Sequence, residues 1–122
     1  MGYELRVERE QPLAYAELTA ALTPAGYALR GSEEAGQVIA RHGEAEHVIA
    51  EWRGRLWGEP LSDWQVAQLA KLADALAARL VGEDGEVYAI RDGMVEQVNA
   101  EASYAFGKLA DIISAGPAQW SE

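Results

Sequence analysis

Ser62-Asp63-Trp64-Gln65-Val66-Ala67-Gln68-Leu69-Ala70-Lys71-Leu72-Ala73-Asp74-Ala75-Leu76-Ala77-Ala78-Arg79-Leu80 is the stretch on which the fold class turns. It opens as a capping box. The Ser62 hydroxyl and the Gln65 side chain can each satisfy a backbone N–H that a first helical turn leaves without a partner. Leu69, Leu72, Ala73, Leu76 and Leu80 then recur at helical spacing along one stripe. Asp63 suits the positive end of the helix dipole and Arg79 the negative end, and Gly82 supplies a stop. Burying the four leucines is worth roughly 6–12 kcal/mol gross, at about 1.5–3 each. This helix is expected to anchor the core.

Strands are expected on both sides of it. Tyr3, Leu5 and Val7 alternate with Glu4, Arg6 and Glu8, the period of a half-buried strand. Pro12 suits the first turn of a short helix with Ala14, Leu18, Ala21 and Leu22 on one face, stopped by Thr23-Pro24-Ala25-Gly26. Tyr27 to Arg30 and Gln37 to Arg41 read as strands around a polar loop. Glu46 to Leu56 reads as a third, long strand, with Val48, Ala50 and Trp52 on one face and a bulge or bend at Gly54. Beyond the central helix, Val87 to Arg91 and Met94 to Val98 flank Asp92-Gly93, a strong type I′ hairpin signal. Asn99 then reads as the cap of a last helix carrying Ala102, Ala105, Phe106, Leu109 and Ile113, ended by Gly116-Pro117. The expectation is an α+β fold of order β-α-β-β-β-α-β-β-α. Its mainly antiparallel sheet would have about five to six strands, with three helices packed on it. No internal repeat, low-complexity tract or linker stands out, so residues 1–122 are taken as one domain.

Composition narrows the function. There is no cysteine, which removes disulfides, thiolate zinc sites and thiol catalysis. The start of the chain shows no basic-then-apolar targeting pattern, and no window has the eighteen or so apolar residues of a membrane span, so a cytoplasmic protein is expected. Twenty acidic residues against ten basic ones give a formal charge of −10. Such a surface repels phosphate backbones and anionic lipid, so neither nucleic acid nor membrane is an expected partner. It attracts basic proteins.

Candidate chemistry is thin. His42 and His47 flank a hairpin turn with Glu44 and Glu46 between them, but no further metal ligand is fixed by spacing, and a solvated turn is the reading adopted. Ser32, Ser62, Ser103, Ser114 and Ser121 lie in no nucleophile-elbow context. Glu83-Asp84-Gly85-Glu86 lacks the ligand spacing of a calcium loop, and carboxylates in a wet turn keep ordinary acidity. Trp52-Arg53-Gly54-Arg55-Leu56-Trp57 interleaves aromatic and basic residues, yet residues 41–57 carry three arginines against three glutamates, so this is no basic platform. A sheet strand with one or both tryptophans in the core explains it. Neither Gly-x-Gly-x-x-Gly nor a Walker loop occurs, and no cofactor is expected.

Two segments carry a resemblance. Tyr3-Glu4-Leu5-Arg6-Val7-Glu8-Arg9-Glu10-Gln11-Pro12-Leu13, and the module from Leu69 through Gly82-Glu83-Asp84-Gly85-Glu86 to Val87-Tyr88, resemble small bacterial cytosolic α+β proteins of uncharacterised activity. The resemblance implies that architecture and carries over no activity. By size and charge the chain is also similar to antitoxins and immunity proteins, which occlude a toxin's active site. The expected role is a non-catalytic protein-binding module, an immunity-type inhibitor of a basic effector. It would use Glu83, Asp84 and Glu86 with Glu33 and Glu34 around an aromatic anchor, Trp57. The alternatives are a self-associating homodimer and, further off, a small metal- or ligand-binding enzyme using His42 and His47.

Overall fold

Leu5 and Val7 of β1 (Leu5–Glu8) are buried while Arg6 and Glu8 between them are half-exposed, as their alternation requires. In the computed structural model, which describes residues 3–118 and Trp120, this strand lies at the middle of a nine-stranded antiparallel sheet. Ser121, one of the serines considered above, lies outside the described residues. After β1 come α1 (Tyr15–Ala25), β2 (Ala28–Gly31), β3 (Gly36–His42), β4 (Ala45–Trp52) and β5 (Leu56–Gly58). Then follow α2 (Asp63–Ala75), β6 (Arg79–Val81), β7 (Val87–Arg91), β8 (Met94–Val98), β9 (Ser103–Lys108) and α3 (Leu109–Ala115). The sheet order is β2-β3-β4-β5-β1-β6-β7-β8-β9. The α+β class with three helices on an antiparallel sheet holds; the strand number is nine instead of five to six.

Three local events account for the extra strands. First, Gly54 does not merely bend a long strand. At φ 73 it turns the chain back, Arg53 N–H bonds the Arg55 carbonyl at 3.0 Å, and Trp52 pairs with Leu56 across the hairpin. Ile49 is the extra residue of a bulge, because Val48 pairs with Ile39 and Ala50 with Val38. The bulge buries Ile49 with Ala50 and Trp52 and leaves Val48 exposed, so the expected Val48 face is broken.

Second, α2 ends one turn early. Ser62 caps it as expected, accepting from Gln65 N–H at 3.1 Å, while Gln65 Oε1 accepts from Leu61 N–H. At the other end Ala77 sits left-handed at φ 52, Ala77 N–H bonds Asp74 O, and Ala78 N–H bonds Ala73 O at 2.8 Å. That is a Schellman closure, the same one Gly26 makes for α1 with Tyr27 N–H on Leu22 O. Arg79 and Leu80 therefore belong to β6, and Leu80 is fully buried from a strand. Pro12 likewise precedes α1 instead of opening it; the Glu17 carboxylate accepts from Ala14 N–H.

Third, Asn99 caps a turn and not a helix. Its side-chain oxygen accepts from Glu101 and Ala102 N–H, and Ser103 to Lys108 then pairs with β8. Gly107 at φ 138 is incompatible with a helix through this segment. Asp92 and Gly93, both at positive φ, make the expected type I′ turn between β7 and β8.

The elements fall into two matching halves. α1 leads into the meander β2–β5, α2 leads into the meander β6–β9, and β1 is inserted between the two. The sequence echoes this. Arg41, Gly43, Glu46, Val48, Ala50 and Glu51 recur fifty positions later as Arg91, Gly93, Glu96, Val98, Ala100 and Glu101. An internal repeat is present after all.

The sheet curls around α2, whose Trp64, Val66, Ala67, Gln68, Leu69, Ala70, Leu72 and Ala73 are all buried. His42 and His47 from the first meander meet Trp64 edge-on, at ring distances of 6.2 and 5.3 Å. From the far side, Ser114 O approaches His42 Nε2 at 3.4 Å, and a Cβ on Gly116 would strike the His42 ring. The two histidines are thus part of a closure over α2. Among the described residues no three of His, Cys, Asp and Glu are grouped to hold a metal.

Ala77→Gly should raise stability by roughly 0.5–1 kcal/mol, because glycine removes the left-handed strain that alanine bears at this helix end. Urea unfolding measures it. A loss of stability would show that Ala77 is not strained.

Candidate functional site

Val81 of β6 pairs with Arg6 and Arg79 with Glu8, so the turn that follows β6 emerges beside Glu4, at the N-terminal end of β1. Gly58 of β5 pairs with Leu5 and brings Trp57 and Glu59 to the same end. Four of the six residues expected to bind a partner, Glu83, Asp84, Glu86 and Trp57, therefore lie together around the start of β1. Glu33 and Glu34 do not join them. Their turn is fastened by Trp52 Nε1 to the Glu33 carbonyl at 2.9 Å, and Trp52 pairs with Leu56, which pairs with Val7. They sit at the opposite end of the sheet.

Glu86 corrects a second expectation. It is not a wet turn carboxylate: only 6% of it is exposed. Tyr3 and Tyr88 each donate a phenol hydrogen bond to its Oε2, at 2.5 and 2.7 Å, and Asp84 N–H donates to Oε1 at 3.1 Å. The same N–H lies 3.3 Å from the Tyr3 hydroxyl. Gly82 leaves the room, since a Cβ there would collide with the Glu86 carboxylate. Burial pushes the Glu86 carboxyl up, but the bonds from Tyr3 and Tyr88 and from the amide outweigh it and hold the group below its ordinary 4.5. Burial, then the bond to Glu86, pushes the Tyr3 hydroxyl up to about 12 and raises Tyr88 as well. Glu86 is thus an anion locked by donors, fit to order a turn and poor at proton transfer.

Around this lock the outer residues are tied more loosely. Glu83 accepts from Glu4 N–H at 2.7 Å. The Glu4 carboxylate takes the Arg55 guanidinium at 3.2 and 3.4 Å, and that guanidinium lies over the Trp57 ring, 4.3 Å from its centroid. Trp57 is accordingly half-buried in an Arg55–Glu4 stack. The Glu83 and Asp84 side chains are exposed, as is Glu59.

Next to the lock is a cleft that sequence reading missed. Tyr3, Leu5, Val66, Tyr88 and Phe106 line it, Pro60 and Gln97 border it, and Trp120 closes one side; its volume is about 280 Å³. Trp120 is fixed there by its backbone N–H on Leu61 O at 2.8 Å and its indole N–H on Asp63 Oδ1 at 2.7 Å. The Tyr88 and Phe106 rings are 6.1 Å apart. One sequence signal pointed here: Glu86 and Tyr88 are two apart in extended chain, which puts both on one face.

Glu86→Gln should cost about 1–3 kcal/mol, the worth of hydrogen bonds to a charged group in a shielded place. Because the folded value of Glu86 lies below its unfolded one, its stabilisation is complete above about 4.5 and is lost as pH falls through the folded value. For Tyr3 the sign is opposite: stabilisation is complete below 10.0 and is lost as pH rises toward about 12. Unfolding free energy measured from acid to alkaline pH should be less pH-dependent in Glu86→Gln at both ends. An unchanged profile would refute the lock.

No protein-family model, no curated protein and no solved structure matches the chain, so what it does is argued from this geometry.

Proposed function

We propose that this chain is a non-catalytic protein-binding module, an inhibitor of the immunity or antitoxin type that engages a basic effector protein at the Glu4 end of the sheet. One observation carries the reading: a carboxylate-rich turn and an aromatic cleft adjoin each other on a part of the fold held rigid from within. The lock on Glu86 fixes the turn, so Glu83 and Asp84 present their charge without an ordering cost on binding. An aromatic patch rimmed by polar charge is the make-up of an interface centre and its surround. The chain's charge of −10 adds long-range attraction for a basic surface. Reading the module as non-catalytic draws support from Glu86, the one buried carboxylate of the end, which is committed to three donors.

A second reading has one observation in its favour. β9 is an outer strand of the sheet and carries Tyr104, 61% exposed, next to Phe106. Such an edge can pair with its counterpart in another copy. Light scattering that shows a dimer at every concentration would favour self-association over a free inhibitor.

For the leading reading, the immobilised protein should retain a basic partner at low salt and release it at moderate salt. Glu83→Lys combined with Asp84→Lys should then slow association with the isolated partner by about tenfold or more at low salt. An association rate that ignores both the double substitution and the salt would sink the proposal.

A further inference from the structure

The cleft beside the Glu86 lock has features that a solvated dent lacks. Its walls are apolar carbon, from Leu5, Val66 and the faces of Tyr3, Tyr88 and Phe106, and no lining residue is basic. The polar ends of both tyrosines point away to Glu86 and leave their rings as the surface on offer. Carboxylates stand close to it, though none lines it. Asp84 and Glu86 lie behind Tyr3, Glu59 precedes Pro60 in the chain, and Asp63 holds Trp120 in place. At about 280 Å³ the cleft falls just under the roughly 300 Å³ at which sites for whole small molecules begin, and suits one large side chain.

The hollow at Trp57, of about 370 Å³, also borders two carboxylates, Glu51 and Glu59, but its aromatic ring already carries the Arg55 guanidinium. The other hollows differ in kind. Those along Glu8–Gln11 and Ala77–Arg79, of about 300 and 540 Å³, set Glu8 and Glu10 against Arg9 and Arg79, with Arg55 added in the smaller, and offer no acidic rim. The hollow beside α3, of about 320 Å³, sets Lys108 among Asp63 and Asp111, so a cation of the chain's own already lines it.

We propose that the cleft formed by Tyr3, Leu5, Val66, Tyr88 and Phe106 seats one bulky apolar side chain, aromatic or long aliphatic, from a basic segment of the partner protein. Lysine or arginine neighbours of that side chain meet Glu83 and Asp84 in the turn beside Tyr3. The inference rests on the protein-binding reading above and gives it an anchor and a polarity. It also shifts the anchor: Trp57 is occupied by Arg55, whereas the cleft has no occupant among the described residues. Charge complementarity selects the occupant. An acidic rim repels an acidic segment, and a basic segment without an apolar side chain leaves the aromatic walls wet.

The test uses the unmodified protein, isotopically labelled, and two blocked peptides, Lys-Arg-Phe-Arg-Lys and Lys-Arg-Ala-Arg-Lys, followed by NMR. The Phe peptide should bind about tenfold tighter or more, as burial of one aromatic side chain requires, and should shift Leu5, Val66 and Phe106. Gln97→Trp, which fills the cleft from a strand position where an aromatic is well tolerated, should reduce the Phe peptide to the affinity of the Ala peptide. Equal affinities, with shifts confined to residues 83–86, would overturn the cleft proposal and leave the basic-partner reading standing. If neither peptide bound, both would fall. The comparison of the two peptides holds even where Gln97→Trp does not fold.

Discussion

Eight of the thirteen residues of α2 are buried, and they do not lie on one stripe: Trp64, Val66, Ala67, Gln68, Leu69 and Ala70 follow one another almost without a break around the helix. A helix that is apolar all round must be enclosed. A flat sheet covers one side of it only, so the nine strands curl, α1 covers another side, and α3 with the β3–β4 hairpin closes the rest. The one polar side chain inside this run, Gln68, accepts from the Tyr27 hydroxyl at 2.7 Å. Everything else in the architecture follows from keeping water off α2.

What the sequence shows plainly is what local chemistry decides without help. The Ser62 cap, the Asp92-Gly93 turn and the alternation of Leu5 and Val7 each depend on a few adjacent residues, and each is present in the fold. The misread places are those where tertiary demands override local signals. Ala77 is a good helix former placed left-handed so that Leu80 can enter the core from a strand. Ala102, Ala105 and Phe106 have helical spacing, yet the sheet needs a last strand, and Gly107 permits it. The repeat was hidden for a related reason. Gly26 closes one helix and Ala77 the other, so the two copies share no common stop signal.

The candidate site was half legible. Glu83 and Asp84 are exposed in the turn between β6 and β7, which Gly82 and Gly85 mark in the sequence. Glu86 looks like their equal in composition and is their opposite in environment. Its difference arises from Tyr3, eighty-three positions away in the chain, and no local pattern can announce a contact of that span. Glu33 and Glu34 fail to join for the same geometric reason. A turn after β2 and a turn after β6 look alike in sequence, but β1 separates the two meanders and the strands place those turns at opposite ends.

The two ends of the sheet use acidic residues differently, and this is what gives the molecule a direction. At the Glu8 end cations are mixed with the carboxylates: Arg9 meets Glu17 and also bonds the Leu76 carbonyl, and Arg6 meets Glu8, while Glu10, Glu33 and Glu34 have no ion pair among the described residues. At the Glu4 end one cation, Arg55, serves Glu4 alone, while Glu59, Glu83 and Asp84 meet no arginine or lysine within ion-pair reach among the described residues. Exposed pairs contribute little to stability, so the imbalance costs the fold almost nothing. It leaves unpaired carboxylates near the apolar walls of Tyr3, Tyr88 and Phe106. Turning Glu86 inward keeps that arrangement stable: a third free carboxylate in the turn would repel Glu83 and Asp84, whereas one bound by two phenols and an amide holds them in place.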